Sequence, residues 1–346
     1  MSNDYYVVSG DSLREVADTI REKNNTSEQL VFPDEWIDTI NSIKTDGTEN
    51  IWQDSNGFVH LPVKEEEVPD DGKTRIWIYI PENTPDNRLT FYLRFISSVA
   101  NNTTVDWGDG TIQTLGSTTA TNYSHKYSQG GNYIITMTVN NGTISFEGDD
   151  NSNTIYGQMI YANSHLRTRI IRVVFGNNIT GINYKTFSYC YSLKSVVLPN
   201  NITNIGEHAF ENCHSLTSII IPNTVTSIGN QAFAGCYSLA SVIMPDSVTN
   251  IDTGAFYFDD SLTSIIIPVN VTNIGLMAFT SCRSMSEYHF KSTTPPVLAS
   301  DKTFQEMPSD CIIYVPYSAN HSILNAYKTA TNWSTVASQI QEEPQS

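Results

Sequence analysis

The fold of this chain is decided by the stretch Cys213-His214-Ser215-Leu216-Thr217-Ser218-Ile219-Ile220-Ile221-Pro222, which is one copy of a repeating pattern. Its leucine, isoleucines and proline return in neighbouring copies at a fixed step of 23 residues. Five phenylalanines keep the same step: Phe187, Phe210, Phe233, Phe256 and Phe279. A period of this length predicts a solenoid, in which each repeat stacks on its neighbours. Because solenoids offer extended surfaces, we expect recognition rather than catalysis.

The repeated motif resembles the BspA-like, or Treponema-type, leucine-rich repeat, and the resemblance covers residues 150–292. It implies a leucine-rich-repeat solenoid of the kind found on bacterial surface adhesins, on some protist surface proteins and in phage-derived proteins. Residues 293–346 are then expected to form a closing cap, because an open last rung would expose core and an unpaired strand edge. Within this cap we expect a strand over residues 311–316 and a helix from Ser318 to Ala330.

Successive side chains of a strand point to opposite faces, which divides each copy into inward and outward residues. Leu216, Ile219 and Ile221 are expected in the core. The outward row on the strand face is mostly β-branched and consists of Val174, Val197, Ile220, Ile243, Ile266 and His289. This row is either covered by a neighbouring segment or forms a contact surface for a ligand or another subunit, and the residues leave both open.

Four cysteines share one repeat position, and the fourth copy carries Asp259 there: Cys190, Cys213, Cys236 and Cys282. Small apolar side chains that stack on successive rungs are typical of core, so we expect reduced, buried thiols. Cys311 lies in an apolar strand and is expected in the core as well. Disulfides between rungs would be strained, and the spacing is not that of a zinc motif.

The residue that follows the cysteine position varies while the core residues repeat. We call this set the variable column, and its members are Tyr191, His214, Tyr237, Asp260 and Arg283. Tyr257 and Phe258 lie beside it in the sequence. Aromatic rings next to polar groups can stack on sugars or peptides. We therefore predict that these seven residues bind the ligand; the alternative is that they are ordinary solvent-facing loop residues.

Residues 74–147 contain short alternating strands separated by turn signals, a pattern typical of a β-sandwich. The run Asp106-Trp107-Gly108-Asp109-Gly110, followed by His125-Lys126-Tyr127 and Gly131-Asn132-Tyr133, resembles the polycystic-kidney-disease (PKD) type of immunoglobulin-like domain. The resemblance implies a spacer or a weak binding module. We expect Asp106 and Asp109 to accept hydrogen bonds from local backbone amides, with a calcium ion as the alternative.

Residues 1–45 are predicted to form a small helical module with two apolar stripes, the first capped by Ser12 and Glu15. The stretch from Leu13 to Lys23, continued by Phe32-Pro33-Asp34-Glu35-Trp36, resembles N-terminal segments of tail and baseplate proteins of phages and prophages. That resemblance implies an anchor to such a particle. Residues 6–13 alone also resemble the start of a LysM motif, but the following residues depart from it. Residues 46–73 are expected to be a charged linker with one small hairpin around Asn56-Gly57.

Composition and motifs exclude several function classes. The net charge of −17 over 346 residues disfavours contact with the phosphates of nucleic acids. No apolar run reaches the ~20 residues of a membrane-spanning helix, and the first residues do not form a secretory signal, so we expect no membrane insertion and assembly in a cytoplasm. No Walker loop, Gly-x-Ser-x-Gly elbow or His-Glu-x-x-His motif occurs. We predict neither catalytic residues, nor a metal site, nor a cofactor.

These features predict a mainly β protein, in which a leucine-rich-repeat solenoid is preceded by an immunoglobulin-like (PKD-type) β-sandwich and a small N-terminal helical module. We expect a receptor-binding protein of a phage or tailocin tail that docks on tail or baseplate proteins through residues 1–45. Its solenoid would bind a bacterial cell-surface glycan or protein, and a homo-oligomer would multiply weak contacts. The alternative is a BspA-like adhesin on the bacterial cell surface. A polysaccharide-degrading enzyme is the least favoured of the three functions, because no sequence feature indicates a cleft with paired carboxylic acids.

Overall fold

The computed structural model describes a mainly β protein over residues 5–7, 52–53, 59–62, 68–69, 71–82, 84, 89–146 and 169–344. The helices expected within residues 1–45 lie outside these ranges. The chain divides into two compact units, residues 1–70 and residues 71–346. In the first unit, β1 (Tyr5–Val7) and β2 (Trp52–Gln53) both pair antiparallel with β3 (Val59–Pro62). Strands β2 and β3 are the pair expected on either side of Asn56-Gly57.

The second unit begins with seven antiparallel strands that belong to two sheets. Their bounds are β4 Thr74–Ile80, β5 Thr90–Ser97, β6 Thr103–Asp106, β7 Ile112–Leu115, β8 Thr121–Lys126, β9 Gly131–Val139 and β10 Ile144–Phe146. Strands β4, β9, β6 and β7 pair in that order in one sheet, and β10, β5 and β8 in the other. Strands β8 and β10 were not predicted, because the first is polar and the second has only three residues. Buried side chains from both sheets, including Phe91, Phe95 and Met137, form the core of this region.

The following residues form a β-solenoid of about seven turns, as the 23-residue step predicts. Its longer strands are β11 Ile170–Val174, β13 Ser195–Val197, β15 Ser218–Ile220, β17 Ser241–Ile243, β19 Ser264–Ile267, β21 Glu287–Phe290 and β23 Ile312–Val315. Shorter strands alternate with them along the chain: β12 Ile179–Ile182, β14 Asn204–Ile205, β16 Ser227–Ile228, β18 Asn250–Ile251, β20 Asn273–Ile274 and β22 Val297–Leu298. The shorter strands pair in parallel from each rung to the next. The longer strands also pair in parallel, but in three groups: β11 with β13, β15 with β17, and β19 with β21 and β23. Equivalent residues therefore stack; Ile219 lies beside Val242, for example.

The solenoid core is a column of phenylalanine rings, one from each rung. All five repeat phenylalanines are buried, and their centroids are 5.3–5.5 Å apart from rung to rung, with nearly parallel ring planes. Leu216, Ile219 and Ile221 are buried as predicted. The five cysteines are also buried and unbridged, as predicted. Each rung therefore completes the core of its neighbour, which is what makes the repeat stable only as a stack.

Both sheets of the first seven strands continue into the solenoid. Strand β10 pairs antiparallel with β5 on one side and parallel with β12 on the other, and one sheet of nine strands results. In the same way, β11 pairs antiparallel with β4 and parallel with β13. The strands of residues 74–146 therefore cover the first rung and leave it without an unpaired edge.

The opposite end of the solenoid is closed by α1 (Ser322–Thr329), a 3₁₀-helix (Ser334–Gln339) and β24 (Ile340–Glu342). Strand β24 adds to β23 in parallel and was not predicted, because its sequence is a polar tail. The helix is shorter than the expected range from Ser318 to Ala330. Tyr327 and Trp333 are fully buried and pack against Phe290, with ring centroids 5.7 Å and 5.1 Å away. None of the helices in the described ranges is both long and apolar enough to span a lipid bilayer.

Candidate functional site

The variable column lies at one edge of the solenoid because every rung makes the same turn. The residue two places before each column residue has a positive φ, as Gly235 (73°) has before Tyr237. The next residue is the buried cysteine, or Asp259 in the fourth copy. Backbone hydrogen bonds hold this turn against the equivalent turn of the next rung; the Gly235 amide, for example, donates to the Tyr257 carbonyl (2.7 Å). The turn thus presents one side chain per rung on a fixed scaffold.

The first three members of the variable column form a continuous row of rings. The ring centroid of His214 lies 4.6 Å from that of Tyr191 and 4.7 Å from that of Tyr237. Tyr237 is 43% exposed, whereas the other two rings are half-buried. Burial lowers the pKa of His214, so its imidazole is neutral at pH 7 and can both donate and accept a hydrogen bond. This half of the column carries no charge at neutral pH.

The remaining predicted residues form a second, charged group on the following rungs. The guanidinium of Arg283 lies 3.8 Å from the Asp260 carboxylate and above the Phe258 ring, at 5.4 Å from its centroid. Phe258 contacts Tyr257, with ring centroids 4.3 Å apart. The structure therefore gathers all seven predicted residues on adjacent rungs, in an aromatic group and an ionic group.

Glu306 belongs to the charged group and was missed by the sequence analysis. Its carboxylate accepts hydrogen bonds from Ser281 (2.9 Å) and Arg283 (3.2 Å), and these two bonds lower the pKa of Glu306. Phe304 stacks on Phe279, with ring centroids 5.9 Å apart. The repeat therefore continues here, but its step is 25 residues instead of 23. A search that allowed a step of 25 residues would have identified Phe304 as the next core ring and aligned Glu306 with Ser281.

Two aromatic residues beside the variable column sit in strained backbone. Tyr189 and Phe258 both have φ of 64°, in the left-handed region, where the equivalent positions of other rungs hold Asn212 and Gly235. A side chain with a Cβ atom costs roughly 1–2 kcal/mol in this conformation. Ser281 (62°) shares this conformation, so the positive φ belongs to the turn that every rung makes, and the turn places the Tyr189 and Phe258 rings at this edge.

The strand face offers a different surface, and we call Ile220, Ile243 and Ile266 the isoleucine face. Their side chains are 36%, 50% and 52% exposed, so they point outward as predicted. The face ends at His289, whose ring nitrogens lie 3.1 Å from Glu287 and 2.9 Å from Glu343. The row of exposed isoleucines is therefore three rungs long and is bounded by an ionic cluster.

The PKD-like sequence motif forms a compact cluster within the first seven strands. The His125 ring stacks on the Trp107 ring at 5.0 Å and meets the Tyr127 ring edge-on at 4.6 Å. The Tyr127 hydroxyl donates to the Trp107 carbonyl (2.9 Å), and its ring lies 4.2 Å from that of Tyr133. Residues separated by up to 26 positions thus hold β6, β8 and β9 together.

The two aspartates of this motif accept hydrogen bonds from local backbone amides, as predicted. Asp106 accepts from Gly108 (2.9 Å) and Asp109 from Thr111 (3.0 Å). Asp109 also contacts the His125 ring at 2.7 Å. Burial on its own would raise the pKa of Asp109, but the His125 and Thr111 hydrogen bonds outweigh it and lower that pKa.

The described ranges hold no group of three His, Cys, Asp or Glu side chains arranged to bind a metal ion. A shallow depression of about 400 Å³ lies beside the C-terminal cap, lined by residues that include Phe304, Met307 and Val336. What the site residues can do chemically is to stack on and hydrogen-bond a ligand.

Comparison with solved structures finds several similar proteins, and leucine-rich-repeat proteins are among them. A leucine-rich-repeat protein of T. pallidum is 33% identical over 34% of this chain and 56% of its own length, with a TM-score of 0.33. A leucine-rich cell surface protein of Faecalibacterium prausnitzii is 32% identical over 36% of this chain and 40% of its own, with a TM-score of 0.30. The pneumococcal vaccine antigen PcpA is 17% identical over 54% of this chain and 44% of its own, with a TM-score of 0.30. The chain thus spans about half the length of these relatives.

A comparison with curated proteins finds no significant match. The model of the BspA type leucine rich repeat region matches residues 131–306 in six copies, which is about half of the 346 residues. The matched range contains the phenylalanine column, the buried cysteines and the variable column. The chain belongs to the BspA-type leucine-rich-repeat family.

Proposed function

We propose that this protein attaches a phage or tailocin tail to the surface of a bacterial host, and that the variable column makes the contact. The observation that carries the proposal is the column itself: three rings and an ionic group stand on successive rungs of a scaffold that otherwise repeats. A fixed scaffold with a varied edge suits recognition, because the edge can change without disturbing the core.

The other parts of the chain have supporting roles in this proposal. Residues 74–147 act as a PKD-like spacer, supported by the packing of Trp107, His125, Tyr127 and Tyr133 in one cluster. Residues 1–45 dock on tail or baseplate proteins, supported by the sequence resemblance. Several copies on one particle multiply a weak contact through effective concentration.

Adsorption of the labelled full-length protein to a panel of bacterial cells tests the attachment. We expect binding to some strains, and we expect Tyr191→Ala with Tyr237→Ala to reduce it without lowering the melting temperature. Ile243→Ser is the matched control, because it changes an exposed side chain on the strand face of the same repeat unit as Tyr237. Equal adsorption of the double variant and the control would remove the variable column as the contact.

The particle assignment has its own test. Deleting residues 1–45 should abolish incorporation into purified particles while the free protein still adsorbs to cells. Incorporation of the shortened chain would contradict the anchor.

A bacterial surface adhesin is the second candidate, favoured by the family match over residues 131–306. It uses the same column and the same kind of target, so the adsorption assay does not separate the two. Detection of the native protein in the cell-wall fraction of a producing bacterium, and its absence from particles, would favour the adhesin.

A further inference from the structure

The outward side of the longer solenoid strands carries a surface that the proposed ligand contact does not use. We propose that this side joins two copies of the chain face to face, with their solenoids antiparallel. The twofold axis of this dimer runs along the strands, midway between β15 and β17. The inference is separate from the proposed attachment, because the variable column is made by other residues.

Two adjacent rows of side chains make up this surface. The apolar row extends the isoleucine face by one or two rungs at each end and consists of Val174, Val197, Ile220, Ile243, Ile266 and His289. The polar row lies two residues earlier on each strand and consists of Arg172, Ser195, Ser218, Ser241, Ser264 and Glu287. Strand pairing places equivalent residues side by side within each group of strands, and the 23-residue step continues both rows from group to group.

The centre of this surface is apolar, uncharged and open to solvent. Each of the three isoleucines is at least 36% exposed, and the polar row beside them holds only serines. Two sheets that face each other pack about 10 Å apart, with the side chains of their facing sides interdigitated. β-Branched side chains on a flat strand surface suit such packing, so the matching occupant is another sheet of the same kind.

The ends of the polar row identify that sheet as a second copy of this chain. The row has a cation at one end and an anion at the other, with four serines between them. At the first end, the guanidinium of Arg172 lies 4.9 Å from the centroid of the Trp77 ring. At the other end, the carboxylate of Glu287 contacts His289 at 3.1 Å, and 38% of the Glu287 side chain remains exposed. The surface is therefore complementary in charge to its own reverse.

The position of the axis follows from this pattern. Strands β15, β13 and β11 lie on one side of it and β17, β19 and β21 on the other, so Arg172 and Glu287 are equally far away. Each Arg172 then lies opposite the Glu287 of the second copy, and each Ile220 opposite an Ile243. Every contact occurs twice, as in any isologous interface. Parallel solenoids would instead collect both arginines at one end and both glutamates at the other.

The size of the surface predicts a weak dimer. Six strands about 4.8 Å apart, with outward side chains over roughly 10–13 Å of each strand, give a footprint of roughly 300–400 Å² per copy. Stable interfaces bury about 800 Å² per partner. We expect a dissociation constant of roughly 10–100 µM for the free chain. Copies held close together on one particle or cell would dimerise more completely through their effective concentration.

Sedimentation velocity of the full chain, from about 1 to 500 µM at about 0.15 M NaCl, tests the dimer. At this salt the Debye length of ~8 Å screens the repulsion between chains of net charge −17. Arg172→Glu and Glu287→Arg should each weaken dimerisation at least tenfold, and both changes in one chain should restore it, because the pair is reversed. The Tyr191→Ala, Tyr237→Ala double variant is the control and should dimerise as the native chain does.

Engineered cysteines test the arrangement, since all five native cysteines are buried. The axis sets Val197 opposite Ile266, so an oxidised mixture of Val197→Cys and Ile266→Cys chains should form a linked dimer. Neither variant should form one alone. Linked dimers of a single variant would overturn the antiparallel arrangement. A monomer at about 500 µM, or a dimer that survives both Arg172→Glu and Glu287→Arg, would overturn the interface.

The attachment function has a separate outcome, because its adsorption test uses the monomer. Below about 1 µM the free chain is monomeric by the dissociation constant expected above. Ile243→Ser therefore serves as the adsorption control at these concentrations. Loss of adsorption in the Tyr191→Ala, Tyr237→Ala variant bears on the variable column alone, whereas loss of dimerisation in Arg172→Glu bears on the strand surface alone.

Discussion

At the scale of single residues, Asp259 is the exception in the stack of cysteines. Cys213, Cys236 and Cys282 each direct their Sγ–H to a phenylalanine carbonyl oxygen 3.2–3.3 Å away. Asp259 occupies the equivalent position and is fully buried; its Oδ1 accepts the Cys236 amide at 2.9 Å, but its Oδ2 makes no hydrogen bond. Burial raises the pKa of Asp259 well above its usual value, and the neighbouring charge of Asp260 adds to the effect.

Asp259→Cys should therefore raise the free energy of unfolding, by about 1–3 kcal/mol at pH 8, because it removes an unsatisfied buried polar atom. The folded pKa of Asp259 lies above its unfolded value of about 3.9, so its protonated form contributes stability at acid pH that is lost as the pH rises through the folded pKa. The gain from the substitution should be larger at pH 8 than at pH 4. Urea unfolding of the native chain and the variant at both pH values measures this gain in the free energy of unfolding. Asp246→Asn is the control, because Asp246 is exposed. A variant less stable than the native chain at pH 8 would refute this account.

At the scale of elements, the rungs approach closely at one position per turn, and Gly206, Gly229 and Gly275 leave no room there for a Cβ atom without a shift of the neighbouring backbone. The Gly229 amide donates to the Ile205 carbonyl at 2.9 Å, and a Cβ atom on Gly229 would lie 2.8 Å from that oxygen. Gly229→Ala should thus lower the free energy of unfolding by about 1–3 kcal/mol, the usual cost of overpacking. Asp252 is the matched control, since it stands at the equivalent position of the next rung and already has a Cβ atom. Asp252→Ala removes only a hydrogen bond to the Thr253 amide (2.8 Å) and should cost less, about 0.5–1.5 kcal/mol. Equal losses of melting temperature in both variants would contradict the close approach.

The connection between β6, β8 and β9 depends on the contact of Asp109 with His125. Since hydrogen bonds lower the folded pKa of Asp109, its carboxylate contributes stability above the unfolded pKa of about 3.9 that is lost as the pH falls through the folded value. Asp109→Asn should lower the free energy of unfolding at pH 7 by about 1.5–3 kcal/mol, the range for a hydrogen bond to a charged group, and the difference should shrink toward pH 3. Asp106→Asn keeps an oxygen that can accept the Gly108 amide and should change little. A pH-independent loss for Asp109→Asn would rule out this electrostatic role.

The sequence predicts local periodicity well and long-range pairing poorly. The step of the phenylalanines is enough to place the rungs, the buried cysteines and the variable column, because each rung repeats the same contacts. Strands β10 and β24 were missed, since they are held by partners distant in the chain and not by a pattern of their own. Glu306 was missed for a related reason: two inserted residues break the step while the stacking of Phe304 on Phe279 continues.

At the scale of the whole molecule, residues 71–346 form one unit in which both sheets cross from the first seven strands into the solenoid. The crossing strands β10 and β11 each have one antiparallel and one parallel neighbour. Sequence alone treats these regions as separate domains, because their motifs differ. The shared sheets mean that neither the first rung nor β4 can lose its neighbour without exposing a strand edge.

This continuity predicts that the two ends of residues 71–346 unfold together. Trp107 lies in the core of the first seven strands, and Trp333 lies in the C-terminal cap; both are fully buried. In variants that keep Trp107 or Trp333 as the single tryptophan, with the other four of the chain's five replaced, fluorescence should follow the same urea transition as far-UV circular dichroism, as a cooperative unit requires. Nearest-neighbour coupling along a solenoid otherwise permits the ends to unfold separately. A Trp107 transition that precedes the loss of circular dichroism would show that the sheets do not couple the two regions.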